Sequence, residues 1–437
     1  MPDTYHSVIL DEEKCKGCTN CIKRCPTEAI RVREGKAHIL PERCIDCGEC
    51  IRVCPHHAKR ARHDDFSRLA DFKYKVALPA PALFGQFSRL VNIDYILNGL
   101  LDIGFDDVFE VSRAAEIISD FTRKMIRGGG LPMPVISSAC PAVTRLISVR
   151  FPSLCENVLP LISPMHLAGM MAKKEAAEKT GLPEEDIGTF FISPCAAKVT
   201  DVVRPTSAQK SWVDCALSMA DVYPRLLEKI NKITEPKPMA RSGIIGVSWA
   251  NSGGEAEALL QDMYLAADGM ENVKLVLEEL ESAHLKKLEF AELGACPGGC
   301  VGGVFTVENA YVAKARIQRL RKYLPVARSY ADEAPAENLK WDSPLEYSSV
   351  MRLSDDIGEA MNMMEQMDSL CEELPGLDCG SCGAPSCRAL AEDIVTRGAQ
   401  LNDCIFVLRQ EASSAGISVS QGLMTPGREK PGDGDRQ

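Results

Sequence analysis

The chain is 437 residues long, 45% hydrophobic and 25% charged, with a formal net charge of −11. That length provides two to four domains with sizeable cores, and the acidic balance argues against nucleic acid, which needs a basic face. No apolar run approaches the roughly 18–20 residues of a membrane span, and the first residues lack the apolar stretch of a signal peptide, so a cytoplasmic protein with no membrane partner is expected.

Nineteen cysteines need a reason. In a reducing compartment, clustered thiols mean metal more often than disulfides. Sixteen of them fall into spaced groups of four, whereas Cys155, Cys215 and Cys371 stand apart and read as small buried hydrophobes.

Residues 1–65 contain an internal repeat, "CKGCTNCIKRCP" and "CIDCGECIRVCP", each C-x2-C-x2-C-x3-C-P. The short spacing converges three thiolates from one turn, and the fourth cysteine of each run serves the other cluster. Cys15, Cys18, Cys21 and Cys54 are expected to hold one [4Fe–4S] cluster, and Cys44, Cys47, Cys50 and Cys25 a second, in an α+β module of the bacterial ferredoxin kind. Zinc is the bland alternative. Such clusters relay electrons and do no bond chemistry. The basic run "HHAKRARHDD" (56–65) reads as a solvated linker helix, with docking of an acidic redox partner as the sharper alternative.

Residues 66–325 alternate between two periodicities. "PMPVISSAC" predicts a strand ending at Cys140, followed by a helix over "PAVTRLISVRF"; "IGTFFISPC" predicts a strand ending at Cys195. "SGIIGVSW" predicts a third strand followed by a helix over "GGEAEALLQDMYLAA". "KLEFAELGAC" predicts a fourth, ending at Cys296, with a helix over "YVAKARIQRLRKYL" after it. Alternation of this kind indicates an α/β domain with a largely parallel sheet. Three strands deliver a cysteine at their carboxyl ends, where open α/β sheets place ligands.

Cys140, Cys195, Cys296 and Cys300 would make a four-thiolate site drawn from three loops, with Cys300 one turn beyond Cys296 if that segment is helical. Pro141 and Pro297 suit the first turn of a helix, whose dipole favours an anionic group. Gly298 and Gly299 let the backbone approach a bulky inorganic group. On spacing alone, four unrelated buried cysteines remain the alternative.

"SSACPAV", "SPCAAK" and "ELGACPGGCVGGVFTVEN" resemble the three signature loops of the [FeFe]-hydrogenase large subunit, and with "SGGEAEALLQDMYLAADGMENV" the resemblance covers roughly residues 75–323. It implies two parallel-sheet α/β lobes around an H-cluster, a [4Fe–4S] cube joined through one thiolate to a diiron unit with CO, cyanide and a bridging dithiolate. Carried onto this chain, Cys140, Cys195, Cys296 and Cys300 hold the cube, Cys300 is the bridge, and Lys198 hydrogen-bonds a cyanide ligand. An ammonium facing an anionic ligand is physically sensible.

Several positions depart from the family pattern. Highly active members have a cysteine where this chain has Ala139, and loss of a positioned general acid costs roughly 10²–10⁴ in rate. Ser193 and Gly294 replace methionines packed against the diiron unit, and Val143 replaces a tryptophan, which implies a smaller-walled and more polar pocket. Glu116 and Asp120 lie in the stretch of the family's proton path, and each reads as a helix-surface carboxylate. These departures, with "ENVLPLISPM" and "GLDCGSCGAPSC", resemble the sensory branch of the family, which is expected to turn hydrogen over slowly.

Residues 326–350, rich in Ala, Pro and Glu without periodicity, read as a linker. "DDIGEAMNMMEQMDSLCEEL" predicts a methionine-rich helix stopping at Pro375 and Gly376 and packed on the module behind it. Within residues 351–411, Cys379, Cys382, Cys387 and Cys404 give C-x2-C-x4-C-x16-C, the ligands of another [4Fe–4S] cluster in a small helical module, with zinc as the alternative. The pattern resembles the iron–sulfur domain of corrinoid iron–sulfur proteins. This cluster would be a second electrical terminal. Residues 412–437 are polar and rich in Gly and Pro, and are expected to be disordered.

The resulting expectation is a slow, sensory or regulatory hydrogenase that interconverts H2 with protons and electrons. Its partners would be ferredoxin or another redox protein, a separate signalling protein, and hydrogenase maturation proteins. The alternatives are a metabolic ferredoxin-dependent hydrogenase, a non-catalytic iron–sulfur carrier or assembly scaffold lacking the diiron unit, and an electron donor to a corrinoid protein.

Overall fold

The computed structural model describes residues 5–88, 90, 92–206, 210–285, 287–334 and 336–414. Beyond residue 414 the tail expected to be disordered lies outside the described residues. Among the described residues, no helix is long and apolar enough to cross a membrane.

The N-terminal module runs β1 (Val8–Leu10), α1 (Asn20–Lys23), β2 (Ile30–Arg33), β3 (Lys36–Ile39), α2 (Glu49–Arg52) and β4 (Lys59–Ala61). β1 pairs antiparallel with β4, and β2 with β3. The repeat in the sequence is a repeat in space: α1 carries Cys21 and α2 carries Cys50, the third cysteine of each run. The basic run is not a helix, because Lys59–Ala61 complete the ladder with β1. Near its end, Asp64 exchanges hydrogen bonds with Ala216, its amide donating to the carbonyl at 2.9 Å and its carboxylate accepting from the amide at 2.7 Å. The run is a structural seam between modules.

The central body then runs β5 (Tyr74–Pro79), α3 (Asp94–Asp102), β6 (Asp107–Val108), α4 (Val111–Gly128), β7 (Val135–Ile136), α5 (Pro141–Arg150), α6 (Pro164–Thr180), β8 (Ile187–Ser193) and α7 (Ala196–Val203). It continues through β9 (Cys215–Ser218), α8 (Met219–Ile230), α9 (Ile244–Ser248), α10 (Gly254–Ala258), β10 (Tyr264–Asp268), α11 (Met270–Glu281), β11 (Phe290–Gly294) and α12 (Ala310–Arg321). Two separate parallel sheets result, in the orders β6-β5-β8-β9 and β10-β11-β7. Every residue of β8 is buried, as a parallel strand covered on both faces requires.

Two of the expected elements change. "SGIIGVSW" forms the short helix α9 rather than a strand; it lies so close to α4 that a Cβ on Gly246 would overlap the Ser112 carbonyl. The helix expected over "GGEAEALLQDMYLAA" stops at Ala258, Leu260 turns at φ 55°, and β10 follows, paired with β11. The apolar run is thus taken by the sheet, because tertiary pairing outweighs local propensity.

Part of the expected linker is packed onto the body. The Ile162 amide donates to the Leu339 carbonyl at 2.9 Å, the Trp341 amide to Pro160 at 3.0 Å, and Leu339 is fully buried. The C-terminal module contains α13 (Ile357–Glu373), α14 (Cys387–Arg397) and α15 (Ile405–Ser414). Asp356 caps α13 by accepting from the Glu359 amide at 2.8 Å. Met367 is buried against the module, whereas Met361 and Met364 face solvent. The module sits against the β2–β3 hairpin, where the Val32 amide donates to the Gly383 carbonyl at 2.8 Å.

Candidate functional site

In the N-terminal module, Cys15, Cys18, Cys21 and Cys54 line one small cavity of about 20 Å³, and Cys25, Cys44, Cys47 and Cys50 line a second of about 20 Å³. Each fourth cysteine crosses to the other group. The arrangement is symmetric in its hydrogen bonds as well: the Ala29 amide donates to Cys25 Sγ at 3.2 Å and the Ala58 amide to Cys54 Sγ at 3.3 Å. Burial pushes the Cys21 thiol up to about 11 and Cys50 up to about 12. Four such thiols ionise together only around a cationic centre, which fits an iron–sulfur cube.

A third group forms where the two parallel sheets meet. Cys140 follows β7 and is the residue before α5, with Pro141 at the helix's first position. Cys195 follows β8 and precedes α7. Cys296 follows β11, and Cys300 opens a short 3-10 turn, Cys300–Gly302. The Cys296–Cys300 segment is therefore not a helix, and Pro297 does not begin one. Gly298 and Gly299 take φ of 79° and 95°. A Cβ on Gly299 would overlap the Ser252 amide, so glycine is required by close backbone approach within the protein.

The four thiols face one another. Burial comes first in raising Cys195, followed by the charges of Cys296, Cys300 and Cys140. Burial, then Cys296 and Cys140, pushes Cys300 up to about 12. Cys300 itself keeps free surface. At Gly294 a Cβ would meet nothing nearer than 4.0 Å, so this wall is open as well. A bulky group bonded to Cys300 has room here, and the donor set fits an inorganic cluster.

Lys198, on the first turn of α7, is buried, and its Nζ donates to the Ala139 carbonyl at 2.9 Å. Its charge acts on Cys300 and on Glu255. Ser193 does not present its hydroxyl as a pocket wall: Oγ donates to the Cys195 carbonyl at 2.9 Å and accepts from the Cys195 amide at 3.2 Å, which builds the cysteine loop. Val143 is fully buried in the core under α5.

Neither carboxylate singled out on α4 is a free surface group. Glu116 is buried and accepts from the backbone amides of Arg328 at 2.8 Å and Ser329 at 2.9 Å, with Gly243 as a further donor, pinning three chain segments together. Burial alone would raise Asp120, but bonds from Arg123 and Lys124 outweigh it and hold the group down to about 2.

A different pair of acids approaches the thiols. Ser137 donates to Glu255 Oε2 at 2.6 Å and accepts from the Ala139 amide at 3.2 Å. Glu292, on β11, accepts from the Gly253 and Ala256 amides at 2.9 and 2.8 Å, at the N-terminus of α10. Burial first, then the charge of Glu292, raises Glu255 well above the usual carboxylate range; burial likewise raises Glu292, with Glu257 adding to it. Glu257 is exposed. Hydrogen bonds link Ala139, Ser137 and Glu255, and beyond them the charge of Glu292 acts on Glu255 and that of exposed Glu257 on Glu292. The sequence reading passed over these acids. The available signal was a lone charge in the apolar strand "FAELG".

The profile for the iron-only hydrogenase large subunit, C-terminal domain, matches residues 73–304, just over half of the chain. The chain belongs to the iron-only hydrogenase family. A 4Fe-4S dicluster profile matches residues 7–55, and an Fe-S cluster profile matches residues 374–406. The periplasmic [Fe] hydrogenase large subunit of Nitratidesulfovibrio vulgaris is 28% identical over 364 residues, covering 69% of this chain and 86% of that one. Iron hydrogenase 1 of Clostridium pasteurianum is 23% identical over 285 residues, covering 53% of this chain and 50% of its own length. A probable cytosolic Fe-S cluster assembly factor of Drosophila ananassae is 22% identical over 326 residues, covering 61% and 66%. A solved [FeFe]-hydrogenase from Chlamydomonas reinhardtii covers 64% of this chain and 98% of its own, with 17% identity and a TM-score of 0.48.

Proposed function

We propose that this iron-only hydrogenase homologue reacts reversibly with H2 at an H-cluster held by Cys140, Cys195, Cys296 and Cys300, turns over slowly, and reports hydrogen to a separate signalling protein. The observation that carries the reading is the convergence of four thiols and buried Lys198 at the junction of the two sheets, with free surface left on Cys300. When bound, the diiron unit supplies the chemistry that splits and forms H2.

The chain's own groups bind and move charge around it. Cys300 would hold the diiron unit beside the cube. Lys198, held by the Ala139 carbonyl, places an ammonium where an anionic ligand sits. Ala139 cannot titrate, so the proton passes instead through the Ser137 hydroxyl to Glu255, then Glu292, and leaves by Glu257. The raised carboxyls suit that work, because a group that is partly protonated near neutrality both gives and takes a proton. A hydroxyl between Ala139 and the acid is a weaker donor than a thiol at the reacting centre, which is consistent with slow turnover. Electrons leave toward ferredoxin or a similar one-electron protein.

The test is infrared spectroscopy of anaerobically matured protein under H2 and under inert gas. Carbonyl and cyanide bands that shift with H2 are expected. Their absence in fully matured protein would leave an electron carrier or an assembly scaffold, the second reading favoured by the Drosophila relative.

A further inference from the structure

The C-terminal module, expected to be a second electrical terminal, is docked onto the N-terminal module. Glu392 and Asp393, adjacent on α14, turn toward three arginines of the N-terminal module. Arg31 Nε lies 2.6 Å from Asp393 Oδ2, and Arg33 Nη2 lies 2.7 Å from the same oxygen. Arg43 reaches both oxygens of Glu392, one of them at 3.1 Å. Arg31, Arg43, Glu392 and Asp393 are all buried, with side-chain exposures of 4%, 1%, 9% and 1%. Charges stripped of water are costly unless paired and hydrogen-bonded in one arrangement. A loosely tethered module would gain more from apolar contacts.

The cysteine loops themselves touch across this junction. Arg33 Nη1 donates to the Cys382 carbonyl at 2.9 Å, and Lys23 Nζ to the Pro385 carbonyl at 3.0 Å. A Cβ on Gly380, between Cys379 and Cys382, would sit 3.3 Å from Ile22 Cδ1, the residue after Cys21. Elsewhere in the N-terminal module, Cys47 packs against the same core as Cys140 and Cys195. There Arg52 bonds the Gly302 carbonyl at 3.1 Å and lies against Cys296. The groups are thus chained by contacts in a single line of modules: the C-terminal module meets the N-terminal one at Ile22, Lys23, Arg33 and Arg43, and the Cys47 segment meets the Cys300 group.

We propose that the C-terminal cluster is the outer station of this single line, electronically coupled to the Cys15/Cys18/Cys21/Cys54 cluster, and that Arg31, Arg33 and Arg43 with Glu392 and Asp393 are the clamp that fixes the coupling. The inference rests on the cluster reading of these cysteines. Each step passes one electron between neighbouring clusters and makes or breaks no bond. A soluble one-electron carrier exchanges with the outer station.

The experiment uses the full chain with all clusters loaded and reduced by dithionite. Pulsed electron paramagnetic resonance should show the C-terminal cluster broadened by its reduced neighbour. Asp393→Asn with Glu392→Gln should abolish that broadening at unchanged iron content, and hydrogen exchange at the Val32 amide should speed up by about tenfold or more. Arg31→Met with Arg43→Met, on the other module, should do the same, so misfolding of α14 alone cannot imitate the result. Broadening that survives both pairs, or is absent from the parent protein while the C-terminal signal is present, overturns the clamp. A missing C-terminal signal with zinc bound in its place overturns the cluster reading, and the line with it.

Discussion

The N-terminal cysteine groups and the Cys300 group use the same ligand but build opposite environments. Around the former, thiols from short, repeated spacings enclose cavities of about 20 Å³ whose other walls include Leu10, Ala37, Ala58 and buried Lys59 or Val8, Ile30, Ile39 and buried Asp46. Around the latter, three elements from two sheets leave free surface on Cys300, open space at Gly294, a buried ammonium and two raised carboxyls. A tight box suits an electron station. Room and raised carboxyls suit chemistry on a small molecule.

The sharpest way to break that contrast is Cys300→Ser. It should remove all carbonyl and cyanide infrared bands while leaving the electron paramagnetic signals of the N-terminal clusters intact, because Cys300 keeps free surface whereas the N-terminal thiols line small cavities. Bands persisting in the variant would assign the bridge elsewhere. Next in size, Glu255→Gln should lower H2 evolution by roughly 10²–10⁴ with the infrared bands unchanged, the usual cost of removing a positioned acid. An unaltered rate would route the proton through another group.

The two environments were unequally legible in the sequence. The N-terminal pairing of Cys25 with Cys44, Cys47 and Cys50 follows from spacing alone, because a tight turn leaves few ways to converge three thiols. Cys140, Cys195 and Cys296 were legible as strand-end residues, and the cluster identity came from their resemblance to known loops. What spacing could not supply was anything set by long-range packing. The short strand β10 looked helical until β11 paired with it. Glu116 looked exposed because nothing local announces that the 328–329 backbone will close over it. Glu255 sits in a helical, polar-looking stretch, and only the fold brings it to Ser137.

Ala139→Cys sharpens the comparison with a smaller effect. A thiol at 139 would stand beside Ser137, whose hydroxyl already connects the site to Glu255. Because the downstream acids are unchanged, the gain in H2 evolution should stay below about tenfold, short of the span a missing general acid would open. A gain near the top of that span would show that Ser137 carries little of the proton traffic.

The smallest effect is on stability, and its sign discriminates between a buried acid and a paired one. Burial raises Glu255 and Glu292 above the range of a free carboxyl, so the folded chain retains protons that the unfolded chain has lost. Stability contributed by such a group is present below the ordinary carboxylate pKa and falls as pH rises toward the raised value. An amide in place of the carboxyl cannot ionise and escapes this loss, so Glu255→Gln should match or slightly trail the parent near about pH 4 and exceed it near about pH 8. Differential scanning of the cluster-loaded protein under anaerobic conditions should show a shift of a few degrees in the apparent midpoint. The opposite trend, a parent that gains on the variant as pH rises, would mean that Glu255 is ionised and held by a positive partner, and the acid line from Ser137 to Glu257 would lose its first proton carrier.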